Sequence, residues 1–234
     1  MYLSKYLAIC GACSRRMATQ VIKDGRVYVN NKVETKPNYI VKPSDEVIFE
    51  GKKICLQKHV YVLLNKPKDY LTTRRDEKRR KTVLDLIDLK KDLRVYPVGR
   101  LDRMTTGLLL LTNDGDLAYK LSHPKFKIEK KYRIMLDKNL IQKDIERLLN
   151  GIRLYDGLTK FDNISFFDFK KSKKDVIVSL HSGKNRIIRR MFKHLSYDVK
   201  KLDRTFYAGL TKKGLLLGKW RFLNKEEVDY LKKL

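Results

Sequence analysis

The stretch Gly99-Arg100-Leu101-Asp102-Arg103-Met104-Thr105-Thr106-Gly107-Leu108-Leu109-Leu110-Leu111 sets one carboxylate between two arginines, with a glycine on either side and an apolar run behind it. Short apolar runs bounded by Gly and Pro read as buried strands. Residues 95–98 and 108–111 are therefore expected strands, and the polar residues between them a loop. Flanking cations favour the ionised form of a carboxylate. Such an Asp suits a nucleophile or base better than a general acid, in a site meant for an anionic polymer. A purely structural Arg–Asp pair fits the same residues.

Downstream, Asp114-Gly115-Asp116 opens a helix through Leu117, Ala118 and Leu121 that stops at His123-Pro124. Residues 132–136 read as a strand, and 141–149 as a helix ending at Gly151. Residues 161–169 and 175–181 read as two further strands. The segment His181-Ser182-Gly183-Lys184-Asn185-Arg186-Ile187-Ile188-Arg189-Arg190-Met191-Phe192 begins in a glycine turn and enters a basic helix over 185–195. Helical spacing puts Arg186 on one side with Arg189 or Arg190, while Ile188 and Phe192 supply a buried face. The arginines fit a phosphate clamp or a solvated face. A strand near 199–202 and a C-terminal helix from Asn224 follow. In Lys130-Lys131-Tyr132, the tyrosine fits an ordinary core position, or a stacking partner if a base is flipped out of its strand.

Upstream, residues 1–58 read as a unit of their own, and a second unit spans 59–234. Leu3, Leu7 and Ala8 form a short helical stripe broken by Gly11. Ser14 caps a second helix with Met17, Val21 and Ile22 inward, ended by Asp24-Gly25. Asn30-Asn31 joins two short strands as a tight turn, Pro37 and Pro43 punctuate a loop, and a last strand covers 46–49. Residues 52–59 read as a linker. Arg15 and Arg16 at the second helix's start, with Arg26 beyond it, fit a phosphate-binding face or a solvated one. Cys10 and Cys13 form a C-x-x-C pair that Cys55 and His59 could extend to a zinc site. Matched Cys or His knuckles are missing, however, so small buried thiols are the preferred reading and no metal is expected.

Across the 234 residues, 54 Lys and Arg stand against 27 Asp and Glu, a formal net charge of +27. A Lys-rich proteome accounts for part of that surplus. A nucleic acid is the partner that best relieves the rest, since each neutralised phosphate releases counterions. Hydrophobic residues at 42% suffice for a sizeable core, which excludes wholesale disorder. No run approaches the ~18 apolar residues of a membrane span, and the N-terminus lacks a secretory h-region. Three cysteines argue against a disulfide framework and for a cytoplasmic, reducing setting. The strand and helix pattern is α+β with mostly sheet at its centre.

Taken in order, these pieces resemble the RsuA/RluB-type family of ribosomal RNA pseudouridine synthases. The segment YLAICGACSRRMATQVIKDGRVYVNNKV resembles the alpha-L RNA-binding motif those enzymes carry ahead of the catalytic domain. VLLNKP, YPVGRLDRMTTGLLLLTNDGDL, KKY and GKNRIIRRMF match successive catalytic motifs, and LAYKLSHP is closer to the large-subunit RluB branch. The resemblance implies an α+β fold: a small alpha-L domain of two helices on a small sheet, then a catalytic domain with a central, mostly antiparallel sheet. It implies uridine-to-pseudouridine isomerisation in ribosomal RNA, with Asp102, Tyr132 and Arg189 as catalytic residues and Arg189 paired with Asp102. Substrate binding falls to Leu202, Arg100, Arg103, Lys184, Asn185, Arg186, Arg190, Arg15, Arg16 and Arg26. No cofactor is implied, because the reaction loses no group and changes no oxidation state. The expected partner is ribosomal RNA, naked or in a pre-ribosomal particle, with no membrane and a monomeric enzyme. One departure is Ile187, where the family often has Gln after Asn-Arg. The rival readings are an RNA-binding ribosome assembly factor without catalysis and a DNA-binding module. The second lacks a groove-reading helix pair.

Overall fold

A computed structural model describes residues 1–74, 76–89, 93–168 and 170–234. It divides into two compact units. The first is Met1–Val60 with Leu89–Val95 and Asn113–Gly115; the second is Tyr61–Asp88, Tyr96–Thr112 and Asp116–Leu234.

In the first unit, α1 (Leu3–Ile9) and α2 (Arg15–Lys23) lie against a sheet of order β2-β1-β3-β4. Its strands are β1 (Val27–Val29), β2 (Lys32–Val33), β3 (Val47–Phe49) and β4 (Lys52–Lys53). Ser14 Oγ accepts the Met17 amide at 3.2 Å, the expected N-cap. The face α2 buries is Ala18, Val21 and Ile22. Met17, expected inward, is exposed because it sits in the first turn, past the edge of that face. Asn30 and Asn31 both take positive φ, as the tight β1–β2 turn requires. The expected linker is partly strand: Glu50 and Gly51, also at positive φ, turn the chain so that Lys52 pairs with Phe49 and Lys53 with Ile48. Lys53 also reaches Glu46 at 2.8 Å.

The second unit is built on a nine-stranded sheet of order β11-β12-β8-β13-β7-β5-β15, with β6 (Tyr96–Pro97) on β7 and β14 (Leu210–Thr211) on β13. The other strands are β5 (Tyr61–Lys66), β7 (Thr106–Thr112), β8 (Lys130–Leu136), β11 (Asn163–Phe166), β12 (Asp175–Leu180), β13 (Val199–Tyr207) and β15 (Trp220–Phe222). All its pairings are antiparallel except β13 with β7. The interior strands β5 and β7 are nearly continuous apolar runs and are buried along their length. The α-helices described in this unit are α3 (Gly115–Ser122), α4 (Gln142–Asn150), α5 (Ile187–His194) and α6 (Lys225–Lys233). Asn224 and Glu227 form a capping box at α6. A small hairpin, β9 (Ile152–Leu154) with β10 (Gly157–Thr159), has no counterpart in the sequence reading. β13 runs well past the expected 199–202. The strand expected over 161–169 is β11 over its middle, and Phe169 lies outside the described residues. No described helix is long and apolar enough to cross a membrane.

Three strands meet at Gly107, which pairs with Lys66 of β5 on one side and Arg204 of β13 on the other. Its φ is +107°, and a Cβ there would collide with the Arg204 backbone N and O. Gly107→Ala is therefore expected to destabilise the second unit by at least about 2 kcal/mol. In a thermal scan followed by circular dichroism, that is a Tm drop of about 4 °C or more. Gly99→Ala, at φ +69° but with open space around the added carbon, should lose less.

Candidate active site

The second unit holds a cavity of about 150 Å³ whose floor is one face of the sheet. In β8, Lys130 and Tyr132 are two residues apart and so face the same way; in β13, Leu202 and Arg204 do the same. Register sets Arg204 opposite Tyr132 and Leu202 opposite Ile134. The loop ahead of β7 brings Arg100, Asp102 and Thr105 to the rim, and the turn from β12 into α5 brings Lys184, Arg186 and Arg189. Of the sequence-expected residues, Arg100, Asp102, Tyr132, Lys184, Arg186, Arg189 and Leu202 thus line one cavity. Tyr132 and Leu202 are buried, while Asp102 keeps a third of its side chain exposed.

The arginine expected to pair with Asp102 does not do so here. Arg186 Nη1 stands 3.7 Å from Asp102 Oδ2, whereas Arg189 Nη1 donates to the Val199 carbonyl at 2.7 Å. Arg186 lies just before α5 rather than in it, and its left-handed backbone (φ 47°) directs it away from the helix axis. That conformation costs an L-residue about 1–2 kcal/mol. Arg189, inside the first turn, instead satisfies the strand carbonyl beside it. Burial and the Arg186 charge pull the Arg189 pKa down, and Asp102 opposes them. Both cations therefore sit in the field of the same carboxylate.

Other expected residues lie elsewhere. Arg103 is exposed and pairs with Asp69 at 3.0 Å. Arg190 binds both carboxylate oxygens of Asp156, at 2.8 and 2.9 Å, and its Nε donates to the Asn185 carbonyl at 2.8 Å. Within the first unit, Arg15 and Arg16 are exposed, and Arg26 pairs with Glu50 at 2.6 Å while lying over the Phe49 ring. Burial pushes the Cys10 thiol up to about 12, an environment hostile to a thiolate ligand or redox nucleophile. His59 faces Asp114 at 3.3 Å.

Four residues that the sequence reading did not assign complete the site. Lys66, with no exposed surface, spreads its three N–H donors over four carbonyls: Pro67 (2.9 Å), Thr105 (3.0 Å), Arg103 (3.2 Å) and Asp102 (3.3 Å). Burial pulls its pKa down to about 8, against the opposing charges of Asp102 and Asp69. Lys130, also near 8 through burial and the neighbouring Arg204, donates to the His181 carbonyl at 2.9 Å. Arg204, 2% exposed, donates from Nε to the Leu108 carbonyl and stacks on the Tyr207 ring, yet its Nη2 has no hydrogen-bond partner. Thr105 Oγ1 is likewise buried without a partner, and both residues line the cavity. Buried polar groups are nearly always satisfied. Two unsatisfied ones at a cavity wall fit a polar ligand that completes them. No group of three His, Cys, Asp or Glu side chains suited to a metal occurs among the described residues.

Known proteins resemble this chain along nearly its whole length. The family model described as RNA pseudouridylate synthase matches residues 60–194, and that described as S4 domain matches residues 3–47. Ribosomal large subunit pseudouridine synthase B of Bacillus subtilis (strain 168) is 42% identical, over 99% of this chain and 96% of its own. The dual-specificity RNA pseudouridine synthase RluF of Escherichia coli (strain K12) is 36% identical, over 99% of this chain and 78% of its own. A solved structure described as a crystal structure of pseudouridylate synthase aligns with TM-score 0.70 at 25% identity, over 99% of both chains.

Lys66→Met removes the ammonium that holds three carbonyls of the Asp102 loop and that of Pro67. On the reading of Asp102 as the reacting carboxylate, small displacements of it are costly, and kcat is expected to fall by roughly tenfold to a hundredfold, with KM changed less. Single-turnover rates on the wild type and the variant check this. A variant with wild-type kcat would show that the loop holds its place without the lysine.

Proposed function

The chain belongs to the RNA pseudouridylate synthase family, and from that premise we propose that it isomerises a specific uridine of ribosomal RNA, the large-subunit RNA being favoured. Asp102 is the catalytic carboxylate in this reading. The observation that supports it best is the cavity itself, where one partly exposed carboxylate faces cations above a wall made by Tyr132 and Leu202. The large-subunit assignment leans on the relative from B. subtilis, whose name specifies that subunit.

The substrate uridine leaves its stack at a cost of about a few kcal/mol. Tyr132 offsets part of this by stacking on the base, with Leu202 beneath it. Uracil carries carbonyl oxygens that Arg204 Nη2 and Thr105 Oγ1 can bond, which would satisfy both unpartnered groups. Asp102 then adds to the ribose carbon as the bond to nitrogen breaks, or removes the ribose 2′ proton to give a glycal. The freed uracil then turns and its C5 bonds the ribose carbon, displacing Asp102 in the first route and taking back the 2′ proton from Asp102 at C2′ in the second; C5 then loses its proton and N1 gains one, so no atom is gained or lost overall. Arg186 orients the carboxylate, and Arg189 adds to the positive field around it. The exposed pair Arg15 and Arg16 at the start of α2 contributes sequence-independent phosphate contacts from the S4 domain.

Two experiments test this. Wild type and Asp102→Asn are incubated with unmodified ribosomal RNA, and pseudouridine is mapped by carbodiimide treatment and primer extension. A single new stop in large-subunit RNA with wild type only is expected, while the variant retains RNA affinity. No stop on either RNA or on pre-ribosomal particles, with tight binding kept, would favour the assembly-factor reading. For the S4 domain, Arg15→Glu with Arg16→Glu should weaken RNA binding and reduce the salt slope by about one to two. Unchanged affinity would remove that domain from docking.

A further inference from the structure

Tyr155 forms the tip of the β9–β10 hairpin and is 87% exposed, an unusual place for an aromatic ring. The turn is only Tyr155-Asp156, closed by Gly157 at φ +105°. It is also tethered. Asp156 is held bidentately by Arg190, and Lys184 donates to the Asp156 carbonyl at 2.7 Å. The Arg190 guanidinium lies 4.8 Å from the Tyr155 ring centroid. A ring so fixed, with its side chain given to solvent, is preorganised as a platform.

Beside it opens a second cleft of about 610 Å³, larger than the first and sharing Arg186 and Arg189 with it. Arg190, Lys193, His194 and Lys200 add to its lining. Its one acidic lining residue, Asp198, is already approached by Lys193 and Lys200 at 3.8 Å each. A cationic groove with an aromatic platform is the pattern that binds single-stranded nucleic acid. We propose that this cleft takes the nucleotide adjoining the flipped uridine: its base stacks on Tyr155, and its phosphates lie along Lys193 and Lys200. This rests on the proposed reading of the first cavity as the uridine site.

Stacking and charge separate experimentally, because only charge neutralisation carries a counterion-release slope. Filter binding of an unmodified large-subunit ribosomal RNA transcript is measured over a range of salt for wild type, Tyr155→Ala, Tyr155→Phe and Lys193→Ala with Lys200→Ala, together with KM for pseudouridine formation. Tyr155→Ala is expected to raise Kd and KM about tenfold without changing the salt slope. Tyr155→Phe should bind like wild type, and the double lysine variant should show a shallower slope. Wild-type affinity in Tyr155→Ala would overturn the proposal. So would a loss in Tyr155→Phe as large as in Tyr155→Ala, since the ring alone would then not suffice. Repeating the binding series in an Asp102→Asn background keeps the outcome independent of turnover. Absence of pseudouridine with wild type counts against the proposed function, whereas unchanged binding counts against this cleft.

Discussion

The site depends on one buried ammonium. The segment that carries Asp102 leaves the sheet after β6 and rejoins it at β7, and its carbonyls at Asp102, Arg103 and Thr105 all turn toward Lys66. Burying a lysine without a carboxylate against it is costly, as its depressed pKa records. The carbonyl dipoles and the charges of Asp102 and Asp69 offset that cost. Register explains why this lysine can do so. Lys66 pairs with Gly107, the second residue of β7 after the loop, so the same β5 residue closes the loop through the ladder and gathers it through its side chain. Following that rung across the sheet gives Lys66, Gly107, Arg204 and Tyr132 on four adjacent strands. The loop anchor, the sterically constrained glycine, the unsatisfied donor and the buried cavity tyrosine are thus one row of the sheet. A slip of one residue in any of these pairings would turn the side chains of that strand to the opposite face.

Much of this architecture was legible in the residues, and the failures have physical reasons. Asp102 stood out because charge, glycine and apolar run alternate sharply around it. The helices at Ser14 and Asn224 were readable from their caps. Lys66 fell inside the VLLNKP match, but its role was not legible, because its partners are backbone carbonyls that no side-chain pattern reveals. Arg204 was passed over because its importance lies in cross-strand register. The strand Lys52–Lys53 read as linker because both lysines are exposed, as befits the edge of a sheet. For the β9–β10 hairpin, the cue was Tyr155-Asp156-Gly157 after a helix-ending Gly151, but three-residue strands leave little periodicity to detect.

The exchange between Arg186 and Arg189 shows how far spacing alone can go. A helical count puts both on one side of α5, and both do reach the cavity. Which of them approaches Asp102 was decided by a single residue of helix onset: Arg186 falls outside the helix, in a left-handed conformation open to few L-residues, and gains the reach that Arg189 lacks. Arg189 is then drawn to the Val199 carbonyl at the start of the next strand, a backbone acceptor that no side-chain pattern reveals.

The buried cations also bear on how the site is prepared. Burial and the neighbouring Arg204 depress the Lys130 pKa, and the side-chain hydrogen bonds of both residues run to backbone carbonyls rather than to a carboxylate. Each charge costs desolvation in the free protein, and an unmade hydrogen bond at Arg204 Nη2 adds to it. Apolar side chains of similar volume would avoid that cost. In the proposed reading the donors are fixed before the uridine arrives, and the stability forgone in the empty cavity returns as binding free energy when its carbonyl oxygens enter. A surface cation cannot serve in this way, because water and salt already screen it. In the proposed reading the large positive surplus and the few buried cations therefore have separate roles: the first collects RNA at long range, and the second recognises the uridine that enters the cavity.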